Sequence, residues 1–136
     1  MTIYTALSDE PLDVHAIVER VRSADAGAVV VFEGRTRAEA DLVKLRYEAF
    51  EERARTQLDA FAVEIAAREG IHGVAAVHRI GDVGLGEPSV VVAVCAAHRA
   101  EAFEGARDLI DRIKAEAAIW KQEVFSTTSR WVGLPR

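Results

Sequence analysis

The chain has 136 residues, of which half are hydrophobic and 29% charged, a balance that supports one buried core and argues against the disordered and membrane classes. A net charge of −5 argues against a general nucleic-acid binder, which needs surplus Lys and Arg to neutralise phosphates. No apolar run approaches the ~20 residues that span a bilayer and no leader pattern opens the chain, so a single cytoplasmic domain over residues 1–136, without a membrane partner, is expected.

Residues 3–7 read as a short strand, and Ser8-Asp9-Glu10-Pro11 as a helix start, with Val14, Ile17, Val18 and Val21 following at helical spacing. After Gly27, the unbroken apolar run Ala28-Val29-Val30-Val31-Phe32 predicts a buried strand. Residues 33–41 turn polar around Gly34, Arg35 and Arg37, which predicts a loop and marks a candidate site. The alternation of Val43, Leu45, Tyr47 and Ala49 then predicts a strand. Phe50, Ala54, Leu58, Phe61 and Ile65 recur at three and four residues, as in an amphipathic helix, with Gly70 as its expected cap.

Residues 74–80 and 89–97 are two further strands, expected to be neighbours, joined by a glycine-rich turn over 81–88. A second long helix is expected over 100–118, with Phe103, Ala106, Leu109, Ile110, Ile113 and Ala117 on one stripe. Short strands near 122–125 and 130–132 complete the chain. Strands outnumber helices and do not alternate regularly with them, which makes the fold class α+β.

Cationic and titratable side chains gather in four places: Arg35 with Arg37, His78 with Arg79, His98 with Arg99, and Lys114 with Lys121. Each pair has a bland reading, since surface arginines and helix lysines are mostly solvated and a histidine at a strand end is usually a satisfied polar group. His98-Arg99 stands where an apolar strand gives way to a helix, and helix N-termini hold anions. Arg37 offers a planar fork suited to a phosphate. If helix geometry persisted, Lys114 and Lys121 would lie about 10 Å apart, and facing an arginine-rich pocket would depress their hold on a proton. The resulting neutral amine is a nucleophile or base.

Cys95 sits inside Val90-Val91-Val92-Ala93-Val94-Cys95-Ala96 and is read as a core residue, and as the only cysteine it permits no intrachain disulfide. The four histidines lack zinc-like spacing, and the 81–86 glycines lack the order of a phosphate loop, so neither a metal nor a cofactor is expected.

The ordered set Phe32-Glu33-Gly34-Arg35-Thr36-Arg37, Leu45-Arg46-Tyr47-Glu48-Ala49-Phe50, His78-Arg79-Ile80-Gly81, Ala97-His98-Arg99, Lys114 and Ile119-Trp120-Lys121-Gln122-Glu123 resembles the large-subunit family of molybdopterin synthases, over nearly the whole chain. The resemblance implies an α/β-hammerhead fold and a homodimer within a heterotetramer. Each large subunit would dock a small ubiquitin-like carrier whose C-terminal Gly-Gly thiocarboxylate supplies sulfur to cyclic pyranopterin monophosphate, giving the molybdopterin dithiolene. By position it implies Lys114 and Lys121 as catalytic, and Arg37, His98 and Arg99 as substrate-binding, with help from the neighbouring protomer. Thr36, Ala38 and Gln122 depart from the family's more usual valine, asparagine and basic residue, and Arg136 is the candidate for a C-terminal arginine that some relatives lend to the partner's pocket. The rivals are a non-catalytic dimeric pterin- or nucleotide-binding relative and a module that only docks carrier tails.

Overall fold

A computed structural model describes residues 1–133, so Arg136 lies outside the described residues. The elements run β1 (Thr2–Ser8), α1 (Val14–Val21), β2 (Ala28–Arg35), β3 (Leu42–Ala49), α2 (Glu51–Ala66), β4 (Ile71–Arg79), β5 (Gly81–Gly84), β6 (Pro88–Ala96), α3 (Arg99–Glu116), β7 (Ile119–Phe125) and β8 (Ser129–Val132). They build two four-stranded sheets, ordered β1-β4-β6-β2 and β5-β3-β7-β8, and the class is α+β as expected. Among the described residues only β1 and β4 pair in parallel; β4 and β6 are neighbours as expected, and they run antiparallel.

The central strands of the first sheet, β4 and β6, are covered on both faces, which explains their continuous apolar runs. Val74, Ala76, Val90, Val92 and Val94 point toward α2 and α3, whereas Ala75, Val77, Val91, Ala93 and Cys95 point toward α1. Leu58 and Leu109 are fully buried between the long helices and the sheet, and each contributes roughly 1.5–3 kcal/mol through burial. Gly73 allows α1 to lie against β4, because a Cβ there would collide with the backbone carbonyl of Val21. Gly81 takes a positive φ of 87°, a conformation open to glycine, where the chain leaves the first sheet for the second.

Several sequence expectations need correction. The first helix starts at Val14, because the Asp13 carboxylate caps the Ala16 N–H at 3.0 Å, and Ser8 to Pro11 stay outside it. The strand predicted as buried is instead the edge strand β2: α1 does not reach it, leaving Val29 and Val31 at 41% and 40% exposure. Glu33, Gly34 and Arg35 belong to β2 rather than to the following loop. In β3 an irregularity between Leu42 and Lys44 turns Val43 outward and buries Leu42. Gly70 lies beyond the cap residue Ala67 and turns the chain into β4, Gly81–Gly84 is a strand paired with β3, and Phe103 is exposed.

Candidate active site

Lys114 occupies the last turn of α3 and Lys121 lies within β7, so the helix does stop before the second lysine. The turn between them is clamped. Gln57 of α2 donates its side-chain amide to the Glu116 carbonyl at 2.9 Å and accepts the Ala118 N–H at 2.7 Å. The Phe50 N–H adds a bond to the Ala118 carbonyl, and the Phe50 ring meets Trp120 edge to face, with centroids 5.1 Å apart. Across the β3–β7 ladder Tyr47 stands opposite Lys121 and Leu45 opposite Glu123, so these side chains share one face of the second sheet.

Two adjoining recesses open where that face meets the end of β2 and the start of β6. One, about 240 Å³, is lined by Tyr47, His78, Ser89, Trp120 and both lysines. The other, about 380 Å³, is lined by Gly34, Arg35, Arg37, Glu123 and again Tyr47, Ser89 and both lysines. The lysines thus stand at the boundary between a slot of mixed lining, with Trp120 and Ile119 beside His78 and Ser89, and an arginine-rimmed one. The rim is well supported: Thr36 is buried, its N–H donates to the Glu87 carbonyl at 3.1 Å, and its own carbonyl accepts from Gly86 at 2.8 Å. The Glu87 carboxylate is held by Arg79 at 2.8 Å and by the Gly84 N–H at 2.9 Å. Arg35 is engaged by Glu33 at 2.8 Å, which leaves Arg37 as the exposed fork over the recess.

Partial desolvation lowers the pKa of Lys114, and the charge of Lys121 adds to the effect, although the residue stays accessible from the recess. Burial thus comes before charge repulsion, the cause the sequence suggested. Burial also keeps His78 neutral, with a pKa of about 4. It raises the Tyr47 phenol, against which a hydrogen bond to Ser89 works. At neutral pH the site therefore combines a lysine with a weakened hold on its proton, a neutral imidazole and a neutral phenol, beside a cationic rim. Such a set suits attack by an amine, or proton transfer by it, on a carbonyl next to a bound anion.

His98 and Arg99 are not part of this cluster within one chain. They begin α3, whose end carries Lys114, which puts about 22 Å of helix between Arg99 and Lys114. His98 supplies no side-chain cap and lies exposed, 3.6 Å from the Glu101 carboxylate. Among the described residues no cluster of His, Cys, Asp or Glu is arranged to hold a metal ion, and no helix is long and apolar enough to cross a membrane.

The family model described as MoaE protein matches residues 7–116, which takes in Arg37, His98, Arg99 and Lys114 together with the strands that position them. The chain belongs to the MoaE protein family. This MoaE-family chain is 43% identical over 123 residues to a molybdopterin synthase catalytic subunit of Oryza sativa, covering 88% of the chain and 64% of that relative's length. It is 41% identical to the protein of that name from Thermoplasma volcanium, covering 90% of the chain and 91% of the relative. A crystal structure of molybdopterin synthase from Staphylococcus aureus superposes with a TM-score of 0.88 at 32% identity, covering 94% of this chain and 96% of the other.

Sequence reading missed the contributions of Tyr47, Ser89 and Gln57 to this MoaE-family site. Tyr47 had the alternation of a core strand, and Gln57 had only the look of a solvated helix residue; no local signal shows that Gln57 spans 59 residues to reach Glu116. Cys95 is fully buried, on the α1 side of the first sheet, and burial pushes its thiol pKa up, so it is no thiolate nucleophile. Cys95→Ala is expected to lower stability by about 1 kcal/mol and to leave the fold intact, as checked by a melting curve.

Proposed function

We propose that the chain is the catalytic large subunit of a molybdopterin synthase, acting in the cytoplasm in molybdenum cofactor biosynthesis. It takes sulfur from the C-terminal Gly-Gly thiocarboxylate of a small ubiquitin-like carrier and delivers it to cyclic pyranopterin monophosphate, two carriers being consumed per dithiolene. The reading is carried by the meeting of the Lys114 amine, with its lowered pKa, and the Arg37 rim at one boundary. The names of the rice and Thermoplasma relatives support it.

Lys114 acts at the carrier's acyl carbon as nucleophile or base, with Lys121 assisting beside the substrate. Arg37, His98 and Arg99 hold the phosphate and the pterin. His98 and Arg99 come from a second copy. β2 is an edge strand with an open hydrogen-bonding side and exposed Val29, Val31 and Phe32, which suits pairing with another β2 about a two-fold axis. Ala28, at the start of β2, faces Ala96, two residues before His98, whereas Arg35, at its end, lies two residues before Arg37. Antiparallel pairing of two β2 strands sets the start of one beside the end of the other, and so carries His98 and Arg99 of each copy to the Arg37 rim of its mate. With one carrier on each large subunit, the assembly is a heterotetramer.

The direct test mixes the purified chain with a thiocarboxylated carrier and the cyclic precursor and looks for dithiolene; a chain that binds both and yields none overturns the reading. In the same system Arg37→Ala, His98→Ala and Arg99→Ala should each weaken precursor binding more than tenfold, since a charge-assisted hydrogen bond contributes roughly 1.5–3 kcal/mol. Titration calorimetry on variants with unchanged melting curves measures this, and unchanged affinity in all three removes them from the site.

A further inference from the structure

His78 shares the lysine recess and has no part in the chemistry proposed for the lysines. It lies on β4, only 7% exposed, with its ring edge to face on Tyr47 at 5.0 Å between centroids. Its Nδ1 is 2.8 Å from the Arg79 carbonyl oxygen, which can only accept, so Nδ1 carries the hydrogen. In a neutral imidazole the other nitrogen, Nε2, then keeps a bare lone pair. The ring lines the 240 Å³ recess together with Lys114 and Lys121, and the charge of Lys114 acts on it directly.

Packing alone would be served as well by an apolar ring, whereas a polar nitrogen on a ring that lines the recess offers a lone pair to a donor there. The groups that face His78 are Tyr47 from β3, Ser89 from β6, Lys114 from α3 and Lys121 from β7, and no carboxylate lines the recess among the described residues. Arg79, next along β4, has its guanidinium turned to Glu87. The donors in the recess are the hydroxyls and the amines; Tyr47 is engaged with Ser89, and Ser89 donates its one hydrogen to the Gly34 carbonyl, whereas an amine carries more than one N–H and can serve Nε2 beside another partner.

We propose that Nε2 of His78 accepts a hydrogen bond from the Lys114 amine and aims that amine at the reacting acyl carbon, which makes His78 a positioning residue of the sulfur-transfer site. The inference rests on the function proposed for the chain. An imidazole suits this role better than a charged acceptor. A carboxylate in its place would hold the ammonium form and work against desolvation, whereas a neutral nitrogen fixes one N–H direction without adding charge. With a pKa of about 4, the ring remains a neutral acceptor throughout the range in which Lys114 changes charge.

Two variants and one spectrum test this. His78→Asn keeps an amide N–H near the Nδ1 position but has no atom at Nε2, whereas His78→Gln extends an amide oxygen toward that place. Single-turnover dithiolene formation should fall about tenfold or more in His78→Asn, with carrier and precursor affinities unchanged, and His78→Gln should recover most of it. The acidic limb of the rate profile, set by loss of the Lys114 proton, should move to lower pH in His78→Asn, because an acceptor that favours the charged amine is gone. A wild-type rate and limb in His78→Asn, or equal losses in both variants with the limb unmoved, overturns the proposal. Should the variants fail to fold, ¹⁵N NMR of the unaltered chain decides: Nδ1 should be protonated and Nε2 bare, and the Nε2 resonance should shift in Lys114→Ala. A protonated or unresponsive Nε2 overturns it. The spectrum needs no turnover, so it judges the His78–Lys114 contact even where the absence of dithiolene in the unaltered system sinks the functional reading.

Discussion

Lys114→Ala is expected to abolish dithiolene formation while the chain still docks its carrier, and Lys114→Arg should fail to restore it. Arginine keeps the charge and most of the length but does not give up a proton at neutral pH, so it is neither nucleophile nor base. Loss of a positioned general base or nucleophile costs about 100- to 10,000-fold in rate. The sign of the pH dependence follows from the site. Desolvation disfavours the ammonium of Lys114, and Lys121 adds repulsion, so the neutral amine appears as pH rises through a value below the ordinary lysine range. Lys121→Ala removes the repulsion, and the limb in that variant should move to higher pH. The measurement is single-turnover product formation at saturating carrier, with docking measured separately so that weak binding is not mistaken for failed chemistry. Substantial activity in Lys114→Arg would mean that the residue only attracts anions, and its catalytic role would be withdrawn.

The strands and long helices were legible in the sequence because their cause is local. The stripe Ala54, Leu58, Phe61 and Ile65 on α2 has the period of a helix and is buried as its spacing requires. The continuous run in β6 has two covered faces, so no alternation appears. The same apolar signal in β2 misled, because Val29 and Val31 look like core residues whether their cover is a helix of the same chain or a second molecule. The cationic residues were legible by type and order, but their grouping was not. Lys114, Lys121 and Arg37 meet because the Gln57 clamp fixes the α3–β7 turn and the Gly86–Glu87 turn props the Thr36 backbone, and each contact joins residues far apart in sequence. His98 and Arg99 carry the composition of an anion site, yet the length of α3 holds them far from the lysines of their own chain.

That separation makes the second large effect a property of mixtures. Lys114→Ala chains, inactive alone, and Arg99→Ala chains, assayed at a precursor concentration well below their weakened affinity so that they too turn over little, should regain activity when mixed and allowed to exchange subunits. In a mixed dimer one site has Ala at both positions, while the other takes Lys114 from the Arg99→Ala chain and Arg99 from the Lys114→Ala chain, and is intact. Random exchange makes about half the dimers mixed with one good site in two, so recovery should approach about a quarter of the unaltered rate. A companion variant tests where the copies meet. Val31→Lys places a charge on a residue that is 40% exposed in the single chain but covered if β2 strands pair. It should therefore yield a folded monomer with little activity, read by light scattering beside the transfer assay. Dilution should lower the activity of the unaltered protein in step with its dimer fraction. If the mixture stays as inactive as its parents while subunits demonstrably exchange, Arg99 does not act across the dimer. If Val31→Lys stays dimeric and active, β2 is not the joint, and the two ends of α3 must be brought together by another surface.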